Sequence, residues 1–80
     1  MQKILITGSN GLLGQKLVYK LKNNPNVMCI ATARGENRLV DKAGYTYEAL
    51  DITNAENVEA IFTKHKPDVV INTAAMTNVD

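Results

Sequence analysis

Metal ligands and nucleophile pairs are scarce in this chain. Its 80 residues include one histidine, His65, and one cysteine, Cys29, so a Cys/His zinc site or a Ser/His or Cys/His pair has almost nothing to draw on. A lone cysteine staples nothing, and Cys29 sits inside an apolar run, which predicts a buried thiol in a reducing compartment, the cytoplasm. Long hydrophobic runs are absent too: Ile4 to Ile6 and Val69 to Ile71 fall far short of the roughly 20 residues of a membrane span. Nor does the start read as an export signal, because Lys3 is followed by three apolar residues and then Thr7, Gly8, Ser9 and Asn10. Neither sign of charge dominates. Nine Lys and Arg stand against eight Asp and Glu, a net charge of +1 with no like-charged block, which speaks against nucleic acid or an anionic membrane as the partner. What remains is an expected soluble chain with 45% hydrophobic residues, enough for one small core and too little for a two-domain enzyme.

The apolar residues fall into a repeating order. Residues 3–7, Lys-Ile-Leu-Ile-Thr, suit a strand buried on both faces that stops at Gly8. From Gly11 onward Leu13, Leu17, Val18 and Leu21 recur at helical spacing, with Lys16, Lys20 and Lys22 between them on the wet side, until Asn23-Asn24-Pro25-Asn26 ends the helix. Val27 to Ala33 is strand-like and leads into the polar stretch Arg34 to Arg38. The stretch from Leu39 to Glu48 carries the weakest pattern; Tyr45, Thr46 and Tyr47 favour a short third strand at about 46–50. Thr53-Asn54-Ala55-Glu56 matches a capping box and predicts a second helix with Val58, Ile61 and Phe62 on one face, closed by Pro67. Residues 68–73 form the fourth strand.

Strand, helix, strand, strand, helix, strand predicts the α/β class: a Rossmann-like doubly wound parallel sheet, first half only, in the spatial order 3-2-1-4. Strand four then lies at an edge, and Val69, Val70 and Ile71 carry no charge or proline to protect it. Residues 1–80 are therefore expected to be the amino-terminal portion of a dinucleotide-binding domain in a longer chain, or to pair with another copy as a homodimer.

Gly8, Gly11 and Gly14 stand at a Gly-x-x-Gly-x-x-Gly spacing between the first strand and the first helix. Such spacing serves a tight turn at Gly8, room at Gly11 for a pyrophosphate against the backbone, and close helix-to-strand packing at Gly14. N–H groups of residues 11–13 then face the phosphates at the positive end of the helix. Gly8, Asn10, Gly11, Leu12, Leu13 and Gly14 are the candidate cofactor neighbours here, against the plainer reading of a ligand-free turn. The usual acidic residue at the end of strand two is missing, and Arg34 stands near its place. A guanidinium grips a 2′-phosphate that a carboxylate would repel, which predicts NADPH, with NADH possible. The plainer reading makes Arg34 and Arg38 loop cations facing water; it is preferred for Arg38, while Arg34 is read as the phosphate ligand. Asp51 either accepts from the adenine amino group, with Ile52 on the ring, or is favoured by the helix start next to it. Ala74 and Ala75 are small enough to let a cofactor lie against the backbone, or serve packing alone. Thr77 offers a hydroxyl, and Met76 either reaches the nicotinamide or fills a core gap. His65 suits the carbonyl end of the second helix and lacks a catalytic partner.

These residues resemble the extended short-chain dehydrogenase/reductases, and within them the dTDP-4-dehydrorhamnose reductase branch. The resemblance rests on residues 3–14, on Asp51-Ile52-Thr53 and on the block Lys66 to Asp80. It implies NADPH-dependent reduction of the 4-keto group of a nucleotide-sugar substrate, toward dTDP-L-rhamnose, and it supports Asp51, Ile52, Ala75, Met76 and Thr77 as cofactor neighbours. Enzymes of this kind use a Tyr-x-x-x-Lys pair as proton donor. Here Tyr19, Tyr45 and Tyr47 are followed four residues on by Asn23, Ala49 and Asp51, so the resemblance implies catalytic residues beyond Asp80 and none in this chain. Two other readings are a non-catalytic NADP-binding regulatory subunit, as in methionine adenosyltransferase, and an epimerase or dehydratase of the same family, which would favour NAD and an Asp at the end of strand two.

Overall fold

Three consecutive apolar residues, Ile4, Leu5 and Ile6, can be buried together only in a strand covered on both sides, and that strand is the centre of the molecule. In the computed structural model, which describes residues 1–73, the order is β1 (Gln2–Thr7), α1 (Leu12–Leu21), β2 (Val27–Ala33), β3 (Thr46–Ala49), α2 (Ala55–His65) and β4 (Val69–Asn72). The four strands lie in the order β3-β2-β1-β4, as expected. All neighbours are parallel: Leu5 is paired with Ile30 on one side and Val70 on the other, and Ala31 with Tyr47.

Alternation along the strands divides the core between two faces. Ile4, Ile6, Cys29 and Ala31 point to the face that α1 covers with Val18, while Leu5, Ile30 and Leu50 meet Ile61 of α2 on the other. Leu5, Ile6 and Ile30 are fully buried, each worth about 1.5–3 kcal/mol relative to exposure. Cys29 is buried as expected, and burial pushes its thiol up to about 11. No helix among the described residues is long and apolar enough to cross a membrane.

Three local expectations are corrected. Leu13 is not part of the buried stripe of α1: it is 39% exposed and Leu12 is 74% exposed, and the first buried residue of the helix is Gly14, pressed on the turn after β1. Thr53 does not cap α2. Asn54 does, its side chain accepting from the Asn57 N–H, while the Thr53 hydroxyl is drawn back to Asp51 Oδ1 at 2.6 Å. At the other end Lys66 closes the helix at φ 47° before Pro67, a left-handed cap that leaves the helix nowhere to continue. His65 is not without a partner, since its Nε2 lies 2.6 Å from Glu48 Oε2 on β3.

Glu48 also meets Lys64 Nζ at 2.8 Å, and the hydrogen bonds from Lys64 and then His65 hold its carboxyl below the ordinary value. A carboxyl depressed in the folded state contributes stability that is fully present above the unfolded pKa, near 4.5, and lost as pH falls through the folded one. Glu48→Gln is expected to remove about 1 kcal/mol at neutral pH, a fall in thermal midpoint of roughly 4–8 °C for a domain this small. Its midpoint should also decline less steeply than that of the unaltered protein between pH 6 and 3. Parallel acid limbs in the two proteins would show that Glu48 is not the responsible group.

Candidate functional site

The carboxyl edge of the sheet is tied together by hydroxyls. Thr7 Oγ1 donates to Asn72 Oδ1 at 2.7 Å, Thr32 Oγ1 to Ile6 O at 2.7 Å, and Thr73 Oγ1 to Thr7 O. These bonds hold the ends of β1, β2 and β4 together at the edge where an open α/β sheet binds its ligands. Gly8 follows β1 at φ 77°, a left-handed conformation that glycine adopts without penalty. The Gly11 N–H then bonds back to Gly8 O at 3.0 Å, and α1 begins.

Gly14 is where the turn and the helix meet. A Cβ built there would lie 2.2 Å from Gly8 O and 2.8 Å from Ser9 Cα. The close packing that the spacing predicts is therefore present, and no larger residue fits it. Gly11 has φ −75° and ψ 164°, which any residue can adopt, so its backbone shape alone does not demand glycine. The first turn of α1 holds no acidic residue and Gly11 supplies no side-chain cap, which leaves the N–H groups at its start for an anion. Ser9 is fully buried, and its hydroxyl has no hydrogen-bond partner among the described residues.

Beside this turn opens a cleft of about 360 Å³ walled by Gly8, Asn10, Arg34, Arg38, Leu50 and Ile52, with Thr7, Thr32 and Ala33 at its base. That volume suits a small ligand or part of a larger one. Of the sequence candidates it brings together Gly8, Asn10, Arg34 and Ile52. Gly11, Leu12, Leu13 and Gly14 are not among its walls and form the adjoining helix start. Asp51 is also outside the walls. Its Oδ1 accepts from the Thr53 N–H and hydroxyl, and these bonds, with Arg34 as a lesser contribution, hold its carboxyl below the ordinary range. Arg34 Nη2 stands 4.0 Å from Asp51 Oδ2 with three quarters of its side chain exposed. Ala74, Ala75, Met76 and Thr77 lie outside the described residues.

Arg38 was not expected in the cleft. It lines the site because residues 34–45 cross from β2 to β3 as a fastened loop. Leu39 is buried against the α1 face, and Tyr19 Oη accepts from the Val40 and Asp41 N–H groups. Tyr45 Oη donates to Asp41 O, and Tyr47 Oη to Gly35 O at 2.8 Å. All three tyrosine hydroxyls thus serve this loop. Asn10 fastens its near end: Nδ2 donates to Glu36 O at 2.9 Å, and the Arg38 N–H donates to Oδ1 at 2.8 Å. The positions of Ser9, Leu50 and Arg38 at the site carried no motif that spacing alone would have revealed.

A four-stranded parallel sheet in the order 3-2-1-4, a glycine turn under a helix start and a cleft at the carboxyl edge define a Rossmann-like α/β fold. The chain belongs to the extended short-chain dehydrogenase/reductases, matching over residues 1–80 the family described as the RmlD substrate binding domain. A dTDP-4-dehydrorhamnose reductase of Aggregatibacter actinomycetemcomitans is 36% identical over 80 residues, covering 100% of this chain and 23% of that protein. An L-threonine dehydrogenase structure from Clostridium difficile superposes with a TM-score of 0.75 at 34% identity, covering 90% of this chain and 23% of the other. A dTDP-glucose 4,6-dehydratase of Bacillus anthracis str. Ames, solved in complex with NAD, has the same fold, with a TM-score of 0.72 at 22% identity over 90% of this chain and 26% of the other. The curated relatives include sugar-nucleotide reductases and dehydratases alike, and the chain spans about a quarter of their length.

Proposed function

We propose that this chain is the cofactor-holding part of an NADPH-dependent sugar-nucleotide reductase. The observation that carries the reading is the cleft, whose described walls hold two arginines and no carboxylate. In a doubly wound sheet the end of the second strand meets the adenosine ribose, where a carboxylate serves NAD and a guanidinium a 2′-phosphate. Arg34 takes the 2′-phosphate in this reading, Ile52 and Leu50 supply an apolar wall for the adenine, and the N–H groups at the start of α1 face the pyrophosphate. The bound nicotinamide supplies the hydride. The close packing at Gly14 holds the start of α1 against the turn, where its N–H groups stand beside the cleft. Similarity to a dTDP-4-dehydrorhamnose reductase supports a 4-keto sugar nucleotide as the substrate. The tyrosine hydroxyls hold the 34–45 loop and none is followed by the required lysine, so the chain's share of the reaction is to bind and orient.

Calorimetric titration of the folded chain with NADPH and then NADH tests this reading. NADPH is expected to bind at least tenfold more tightly. No binding of either overturns the cofactor role, and a preference for NADH favours a dehydratase. Gly11→Val should keep the fold, because valine can adopt the Gly11 backbone conformation. It should weaken NADPH by about 2 kcal/mol, or roughly thirtyfold, by pushing the pyrophosphate off the helix N–H groups. Unchanged affinity would remove the pyrophosphate from this turn.

A further inference from the structure

Asn10 lies in the glycine turn, yet its side chain is directed away from it, onto the loop after β2. Both ends of the carboxamide are used, Nδ2 by Glu36 O and Oδ1 by the Arg38 N–H. The two bonds span 26 and 28 residues and close the segment 34–38 against the turn. Gly35, at φ 75°, lets the chain turn just ahead of both bonds. The result is that Arg34 and Arg38, four positions apart on an irregular segment, both wall one cleft. Without the clip this exposed segment keeps, among the described residues, Tyr47 Oη on Ala33 O and Gly35 O and Asn37 Nδ2 on Tyr45 Oη, none of which fixes Arg38.

We propose that Asn10 is a positioning residue for phosphate discrimination, holding Arg34 and Arg38 on the cleft rim as a paired cation site for a phosphomonoester such as the 2′-phosphate of NADPH. This rests on the reading of the cleft as a dinucleotide site. Two guanidiniums on one phosphate supply more charge-assisted donors than one, and such bonds count only when the donors are already in place. The carboxamide suits the task because it offers a donor and an acceptor at once, which neither Ala nor a carboxylate does.

The test compares NADPH and NADH dissociation constants for the unaltered chain, Asn10→Ala and Arg38→Ala, with thermal unfolding recorded for each. Asn10→Ala is expected to weaken NADPH about tenfold and NADH by no more than about twofold, since the loss falls on the phosphate contact. Arg38→Ala, which changes only an exposed side chain, should shift the ratio in the same direction and keeps the test decisive if Asn10→Ala does not fold. An unaltered chain that prefers NADPH, with that preference intact in the variants, overturns the role of Asn10 and Arg38 and leaves the cofactor reading standing. Equal losses for both cofactors in Asn10→Ala would likewise overturn it, because they would mean that Asn10 only shapes the turn. An unaltered chain without preference removes the phosphate reading and this inference together.

Discussion

Gly14→Ala is expected to unfold the chain or lower its thermal midpoint by more than 10 °C, and to abolish dinucleotide binding. The added methyl would meet Gly8 O at 2.2 Å, Ser9 Cα at 2.8 Å and the Gly8 carbonyl carbon at 2.9 Å. All three are backbone atoms, so no side chain can swing aside, and the helix must lift from the turn. Alanine does favour a helix over glycine by about 1 kcal/mol, but overpacking costs about 1–3 kcal/mol even where side chains can give way. A domain of this length has a total stability of roughly 4–12 kcal/mol, so the clash takes a large share. Circular dichroism melting and calorimetric titration check both halves. Wild-type melting together with intact binding would mean that α1 does not press on the turn.

Arg34→Asp is expected to weaken NADPH by a hundredfold or more while changing NADH only a few-fold. Charge-assisted hydrogen bonds to a phosphate are worth about 1.5–3 kcal/mol, which is roughly ten- to a hundredfold in affinity, and the introduced carboxylate adds repulsion. The fold should be unaffected. Its one charged partner among the described residues, Asp51 at 4.0 Å, forms a largely exposed pair, and pairs of that kind contribute at most about 1 kcal/mol. Titration of both cofactors against the variant decides it: equal losses would show that Arg34 does not read the 2′-phosphate.

The two predictions differ in how far the sequence alone carries them. The need for glycine at position 14 was legible from spacing, because a strand, a turn and a helix start are contiguous and their packing is set within seven residues. Arg34 was legible as a cation at the end of a strand. Its companion was not: Arg38 reads as a water-facing charge until Asn10, 28 residues earlier, is seen to hold its N–H. The same limit explains His65, whose partner Glu48 lies on β3, and the three tyrosines, which look like failed catalytic candidates and prove to be fasteners of a loop. At the start of α2, Thr53 and Asn54 are both suitable caps. Asp51 settles the choice by taking the Thr53 hydroxyl.

The strands, the helices, their order and the glycine turn are therefore properties of neighbouring residues: apolar runs that must be covered on two faces, a helical stripe, and a spacing only close packing requires. Which side chains meet at the cleft was decided by the folded chain. Hydrogen bonds between residues far apart in sequence form only after parallel pairing has brought the ends of β1, β2 and β3 to one edge, and a carboxamide or a guanidinium has the same local preferences whether or not its partner is there.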